Sequence, residues 1–282
     1  MIIIKTAGDI INFFATTKVK ALTTGFVPTM GALHSGHISL ITKAKNENDL
    51  VVCSIFVNPT QFNNAKDFEK YPVTIEQDIY LLDQAGCEVL FLPSVAEIYP
   101  DGLKTNIHFE LGFLDTVLEA SFRPRHFQGV CQVVNRLLEI ILPDKLYLGQ
   151  KDFQQCMVLK KMAETIYPKL QIIICPTQRE ADGLAMSSRN MRLTASEKTQ
   201  AVTISKALEY IKNNIAEGDV GNLKKSTIEY LSTQGFKVDY VEIADANTLT
   251  LLKYWDGKEL IVVLIAAFLN EVRLIDNIII NN

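Results

Sequence analysis

Phe26-Val27-Pro28-Thr29-Met30-Gly31-Ala32-Leu33-His34-Ser35-Gly36-His37-Ile38-Ser39-Leu40 is the stretch that decides the fold. It starts as the end of an apolar strand and breaks at Pro28 and Gly31. It then passes two histidines into a run with helical spacing, Ile38, Leu40, Ile41 and Ala44. A strand that feeds a glycine turn and then a helix N-terminus is where an open α/β sheet binds phosphates. The first backbone N–H groups of the helix lack intrahelical partners there, and the helix dipole favours negative charge. Gly31 and Gly36 have no Cβ, so a flat ligand such as a purine can lie against the backbone. His34 and His37 share a face once the helix has begun, and two imidazoles there can donate hydrogen bonds to a phosphate undergoing displacement. Two other readings stand beside this one. H-x-x-H can ligate a metal, although no further ligands at zinc spacing lie nearby. The pair can also be hydrogen-bonded turn residues without chemistry.

Outward from this stretch, strand and helix alternate. Residues 10–20 suit a helix, 21–27 the first core strand and 38–46 the crossover helix. Residues 50–57 are a continuous β-branched run, as in a strand covered on both faces. Residues 63–73 read as a mobile polar loop, 75–85 as a helix and 87–92 as a third strand. Three alternations predict an α/β fold, a Rossmann-like doubly wound parallel sheet. Further along, 129–142 has the spacing of an amphipathic helix, 145–148 is a short strand, and 171–175 closes the sheet at Pro176. Thr194-Ala195-Ser196-Glu197 is a capping pattern opening a helix to about residue 216, and 222–233 is a second helix. Residues 236–244 alternate as a strand, and 259–268 with 273–280 suit a hairpin around Asn270-Glu271. The expected organisation is a Rossmann-like domain over 1–176 and a smaller C-terminal α+β domain over 177–282.

Composition narrows the partners. The 282 residues are 48% hydrophobic and 21% charged, with a net charge of −4, which speaks against nucleic-acid binding through bulk electrostatics. Five cysteines, odd in number and without a C-x-x-C, suit reduced thiols in a cytoplasmic protein. The apolar run at Met1-Ile2-Ile3-Ile4 is too short for a signal peptide. Residues 260–269 are apolar but span only about half a membrane, so a buried strand is expected and no membrane partner.

Four further segments carry chemistry. Asn58-Pro59-Thr60-Gln61-Phe62 puts amides and a hydroxyl at the C-terminal end of the second strand. Arg123-Pro124-Arg125-His126-Phe127 is either a solvated basic loop or a polyphosphate contact. Gly149-Gln150-Lys151-Asp152-Phe153-Gln154-Gln155 is a second strand–glycine–helix junction. Its Lys151 can bring a charge to a phosphate, and its Asp152 can brace that lysine or hold a metal. Met186-Ser187-Ser188-Arg189-Asn190 offers two hydroxyls and a bidentate cation to a phosphate, or belongs to a polar linker.

The H-x-G-H element resembles that of nucleotidyltransferase-like adenylating enzymes. Taken with Ile55-Phe56-Val57-Asn58-Pro59-Thr60-Gln61-Phe62, the Gly149 segment and the Met186 segment, the chain resembles the pantothenate synthetase (pantoate–β-alanine ligase) family. That resemblance implies an AMP-forming carbon–nitrogen ligase that uses ATP and Mg2+, is a cytoplasmic homodimer, and makes pantothenate through pantoyl adenylate. It assigns His37, His34, Lys151 and Arg189 to catalysis, with His37 as the proton donor. It implies ATP contacts from Met30, Gly31, Ala32, Leu33, His34, Ser35, Gly36 and His37 at the first junction. It extends them to Gly149, Gln150, Lys151 and Asp152, and to Gln178, Met186, Ser187, Ser188 and Arg189. Gln61 and Gln155 would take the pantoate polar groups, with Thr29 and Asn58 also at the substrate, and Pro28, Met30 and Phe62 walling its methyls. Gln150 stands where the family has a glutamate, and Gln77 where a second acid often stands beside the position of Asp78. No protein metal ligand is expected, so the ion would ride on phosphates and water. Another H-x-G-H nucleotidyltransferase and a nucleotide-sensing module without turnover are the competing readings.

Overall fold

A computed structural model describes residues 1–17, 22–63, 65–103 and 107–281. The end of the first expected helix, 18–20, and residue 21 of the first expected strand lie outside the described residues. The chain forms two compact units, one of residues 1–149 and 155–176, the other of 150–154 and 177–282.

The first unit is a six-stranded parallel sheet in the order β1-β4-β3-β2-β5-β6. Its strands are β1 (Ile2–Ile4), β2 (Thr24–Thr29), β3 (Leu50–Ile55), β4 (Val89–Phe91), β5 (Lys145–Gly149) and β6 (Gln171–Cys175). Helices α1 (Ala7–Thr17), α2 (Ser35–Glu47), α3 (Ala65–Glu69), α4 (Ile75–Gln84), α5 (Val95–Ile98), α6 (Glu119–Phe122), α7 (His126–Ile141) and α8 (Phe153–Ile166) connect them. The sheet is covered on both faces. Phe26, Val52, Phe91 and Leu146 pack with Val130, Val134 and Leu138 of α7, while Val27, Val51, Cys53 and Leu90 pack with Leu40 and Ile41 of α2. All six residues of β3 are buried, which is why that strand reads as an unbroken apolar run. The strand order reverses between β2 and β5, so their C-terminal ends form the switch point where open α/β sheets take ligands.

Pro28 does not end β2, contrary to the sequence expectation; the strand runs on to Thr29. Beyond Phe26, β2 is paired with β3 and no longer with β5, so the N–H that proline lacks has no ladder to join on that side. Other differences concern local order. The segment expected as a mobile loop carries α3, with residue 64 outside the described residues. The helix expected over 194–216 is two helices that break at Val202.

The second unit holds α9 (Ala195–Ala201), α10 (Thr203–Asn214), β7 (Gly218–Asp219), α11 (Gly221–Thr233), β8 (Lys237–Asp245), β9 (Tyr254–Trp255), β10 (Ile261–Leu269) and β11 (Val272–Ile280). β10 lies between β8 and β11 in an antiparallel sheet, and α10 and α11 pack on it. The apolar run 260–269 is thus the central strand of this sheet. Among the described residues no helix is long and apolar enough to cross a membrane. The segment 150–154 groups with this unit, although the sequence places it in the first. Asn277 of β11 donates to the carbonyls of Gln150 and Lys151.

Leu142 caps the C-terminus of α7 in the left-handed region, φ +50°, and is 54% exposed. Glycine adopts that conformation without steric cost, so Leu142→Gly should raise stability by about 0.5–1 kcal/mol. Urea unfolding measures it, and a loss of stability would mean that the side chain, not the backbone, governs this helix end.

Candidate active site

Between β2 and α2 the chain turns through Gly31 and Ala32, with φ of +81° and +49°. The second value strains an alanine by about 1–2 kcal/mol. Asp78 of α4, with no exposed surface, holds this turn. Its Oδ2 accepts from the Ala32 amide at 3.0 Å, and its Oδ1 accepts from the Leu33 amide at 2.8 Å and from the Thr74 hydroxyl at 3.0 Å. Bonds to a charged acceptor contribute about 1.5–3 kcal/mol each, so together they outweigh the strain at Ala32. Asp78 also lies in the first turn of α4, where the dipole favours an anion. A Cβ at position 31 would stand 3.1 Å from Asp78 Oδ2, which closes that position to larger residues.

The turn delivers two imidazoles to the start of α2. His34 is the N-cap, and its Nδ1 accepts from the Gly36 amide at 3.2 Å. His37 Nδ1 accepts from the His34 amide at 3.3 Å, completing a capping box built from histidines. The ring centroids are 4.1 Å apart. A neutral imidazole carries one protonated and one bare nitrogen, so an accepting Nδ1 puts the proton on Nε2. Both histidines therefore carry Nε2–H donors. The Gly36 amide, expected to be bare, is thus capped within the protein.

The corner after β3 is built as firmly. A 3-10 turn, Pro59–Gln61, is capped by Asn58, which is 1% exposed. Asn58 Oδ1 accepts from the Thr60 amide and hydroxyl and from the Tyr99 hydroxyl, the last at 2.8 Å. Its Nδ2 donates to Gln61 Oε1 at 3.2 Å and to the Gly129 carbonyl at 3.1 Å. Gln61 Nε2 donates to Met30 Sδ at 2.9 Å, which joins this corner to the histidine turn. Asn58 is thus placed beneath Gln61 as a brace. Thr29 is also inward, its hydroxyl donating to the Ser54 carbonyl. Pro28 is half-buried, as is Gln155 in the first turn of α8.

The basic segment before α7 is partly turned inward, with Arg125 exposed and His126 and Phe127 buried. His126 is buried, with Nδ1 2.8 Å from the Gln61 carbonyl, and Arg123 reaches the same oxygen at 3.5 Å while pairing with Glu119. A Cβ at Gly129 would lie 2.5 Å from the Thr60 carbonyl, so the first turn of α7 packs directly on the Gln61 turn.

In the second unit, Gln150–Asp152 form a 3-10 turn, with Lys151 Nζ 3.6 Å from Asp152 Oδ2. The stretch 177–192, with its choice between linker and phosphate contact, is folded. Arg179 bridges to Ala185, and the Gln178 carbonyl accepts from the Met186 amide. Arg179 holds Asp276 bidentately at 2.6 and 3.0 Å. Burial pushes the Asp276 carboxyl up, and Arg179 opposes that shift. Ser187 Oγ accepts from the Arg189 amide and caps a 3-10 turn over Ser188–Arg192, where Ser188 is buried. Both this turn and that of Lys151 pack on β11, so the two phosphate candidates share one platform.

The profile of the pantoate-beta-alanine ligase family matches residues 2–279. The chain belongs to that family. A pantothenate synthetase of Cytophaga hutchinsonii is 48% identical over 269 residues, 94% of each chain. One of Bacteroides thetaiotaomicron is 43% identical over 99% of this chain and 98% of its own. The crystal structure of pantothenate synthetase from Thermus thermophilus superposes with a TM-score of 0.88 at 37% identity, covering 99% of both chains. The Francisella tularensis pantoate-beta-alanine ligase, complexed with beta-gamma ATP and beta-alanine, gives 0.82 at 40% identity, covering 99% of this chain and 97% of its own. The fold is therefore the family's, and the chain is a ligase that joins pantoate to β-alanine.

Sequence reading missed the supports of this site. Asp78 lies 46 and 45 residues from the amides it holds, and Asn277 lies 126 residues from Lys151. No local pattern announces such pairings. Asp78→Asn presents an amide nitrogen to groups that themselves donate, so it should lower stability by about 2–3 kcal/mol and reduce kcat. Urea unfolding with a ligation assay checks this; unaltered values in both would remove Asp78 as the brace of the histidine turn.

Proposed function

We propose that the chain forms pantothenate in two steps. A pantoate carboxylate oxygen attacks the α-phosphorus of ATP, the bond to the bridging oxygen breaks, and pyrophosphate leaves behind pantoyl adenylate. The amine of β-alanine then attacks the acyl carbon, the acyl–phosphate C–O bond breaks, AMP departs, and the nitrogen loses a proton. The observation that carries this reading is the histidine capping box, with Nδ1 of each ring bound to backbone and the proton on Nε2. Two preset donors are what a five-coordinate phosphorus gathering negative charge requires.

His34 and His37 stabilise the α-phosphate, with His37 as proton donor. Lys151, Ser187, Ser188 and Arg189 hold the β- and γ-phosphates, and Asp152 lies toward the ribose. Gln150, Gln178 and Met186 supply further nucleotide contacts, and Met30–Gly36 with Gly149 line the nucleotide, the amides of Gly31, Ala32, Leu33, His34 and Gly36 being engaged within the protein. Gln61 and Gln155 bind the pantoate oxygens, since a primary amide both donates and accepts.

Mg2+ accompanies ATP in this reading. Asp78 is buried with both carboxylate oxygens bound to protein donors, and among the described residues no three His, Cys, Asp or Glu cluster for a metal. The ion would be held by phosphates and water. A cytoplasmic homodimer completes the reading. Five free buried cysteines suit a reducing compartment.

His37→Ala should slow adenylate formation about 10²–10³-fold with the fold intact. AMP release in the presence of ATP, pantoate and β-alanine measures it, and undiminished turnover would end the role. AMP release without β-alanine or pantoate would instead indicate a different nucleotidyl transfer. Gln61→Ala should raise the pantoate KM about tenfold, roughly the worth of one good hydrogen bond. An unchanged pantoate KM removes Gln61 from the acid site.

A further inference from the structure

Lys151 sits on a turn of three residues, and a phosphate-binding ammonium needs a fixed base. That base comes from the far end of the chain. Asn277 of β11 is 1% exposed. Its Nδ2 donates to the Gln150 carbonyl at 3.0 Å and to the Lys151 carbonyl at 2.8 Å, and its Oδ1 accepts from Gln150 Nε2 at 3.1 Å. Two consecutive carbonyls converge on one amide nitrogen, whose two hydrogens match them. Asn277 is fixed in turn. Its own amide donates to Asp276 Oδ1 at 2.8 Å and its carbonyl accepts from Arg179 at 3.4 Å, while the strand pairs it with Leu264 of β10.

We propose that Asn277 is a positioning residue for ATP binding, acting through the backbone of Gln150 and Lys151 to aim the Lys151 ammonium. This rests on the assignment of Lys151 to the ATP phosphates. The Asn277 side chain is spent on protein groups. It fixes the two carbonyls that flank the Lys151 Cα, and so fixes the direction in which that side chain leaves the turn. It also explains how the chain uses Gln150. The side-chain amide closes a ring with Asn277, so the Gln150 carbonyl and Gln150 Nε2 are both held by one asparagine. An acceptor-only side chain at 150 could not make the second of these bonds to Asn277 Oδ1.

The test is a double-mutant cycle in the full chain, with KM for ATP and for pantoate measured separately. Asn277→Ala should raise the ATP KM about tenfold while the pantoate KM stays within about twofold, because a positioning effect is carried by the group it positions. In a Lys151→Ala background the same change should add nothing to the ATP KM. Should Asn277→Ala not fold, Asn277→Ser keeps one donor and carries the same test with a smaller shift. An equal rise in both backgrounds, an unchanged ATP KM, or a pantoate KM that rises as much would overturn the proposal. Failure of the underlying reading is seen separately: Lys151→Ala alone would then leave the ATP KM unaltered.

Discussion

The contact on which the rest of the first unit depends is the grip of one buried carboxylate on two backbone amides. Asp78 holds Ala32 and Leu33, so a left-handed turn that would otherwise be a strained minority conformation is the ground state. The turn sets where α2 starts, and the start of α2 makes His34 an N-cap and His37 its partner in the box. Moving the helix start by one residue would turn both rings away and expose the capped amide. A buried carboxylate thus bears on the tautomer of both imidazoles, because the backbone amides that Nδ1 accepts from are positioned by the same turn.

The two corners of the sheet rim are built on one plan. Each places a candidate site side chain on a short turn, and each turn is held from beneath by a buried group. Asp78 serves the histidine turn, while Asn58, His126 and Gly129 serve the turn of Gln61. The second unit repeats the plan with Asn277 under Lys151. Rigid loops of this kind suit a reaction whose catalysis is mostly orientation and charge placement, where a displacement of about 1 Å can cost a hundredfold.

Much of this was readable in the sequence because it is local. The unbroken run at 50–55 announces a strand covered on both faces, the Thr194–Glu197 box announces the start of α9, and the H-x-G-H motif announces the histidine pair. What was not readable depends on partners far along the chain. Pro28 reads as a strand breaker, and only the withdrawal of β5 after Phe26 shows why it is tolerated. Arg123–Phe127 reads as a basic loop, and only the fold shows His126 turned inward to the Gln61 carbonyl. Composition records which groups are charged or polar, but satisfaction of a buried carbonyl is a tertiary fact.

The hairpin that ends the described chain has a bearing on biosynthesis. The turn of Lys151 leaves the ribosome long before β11, and its clasp is separated from it by 126 and 127 residues. Contacts of such separation are late to close, since the intervening loop must be ordered first. A nascent or prematurely terminated chain can complete the parallel sheet and its histidine turn while the lysine turn still lacks its support. The turn of Lys151 is therefore among the last parts of the fold to gain its support.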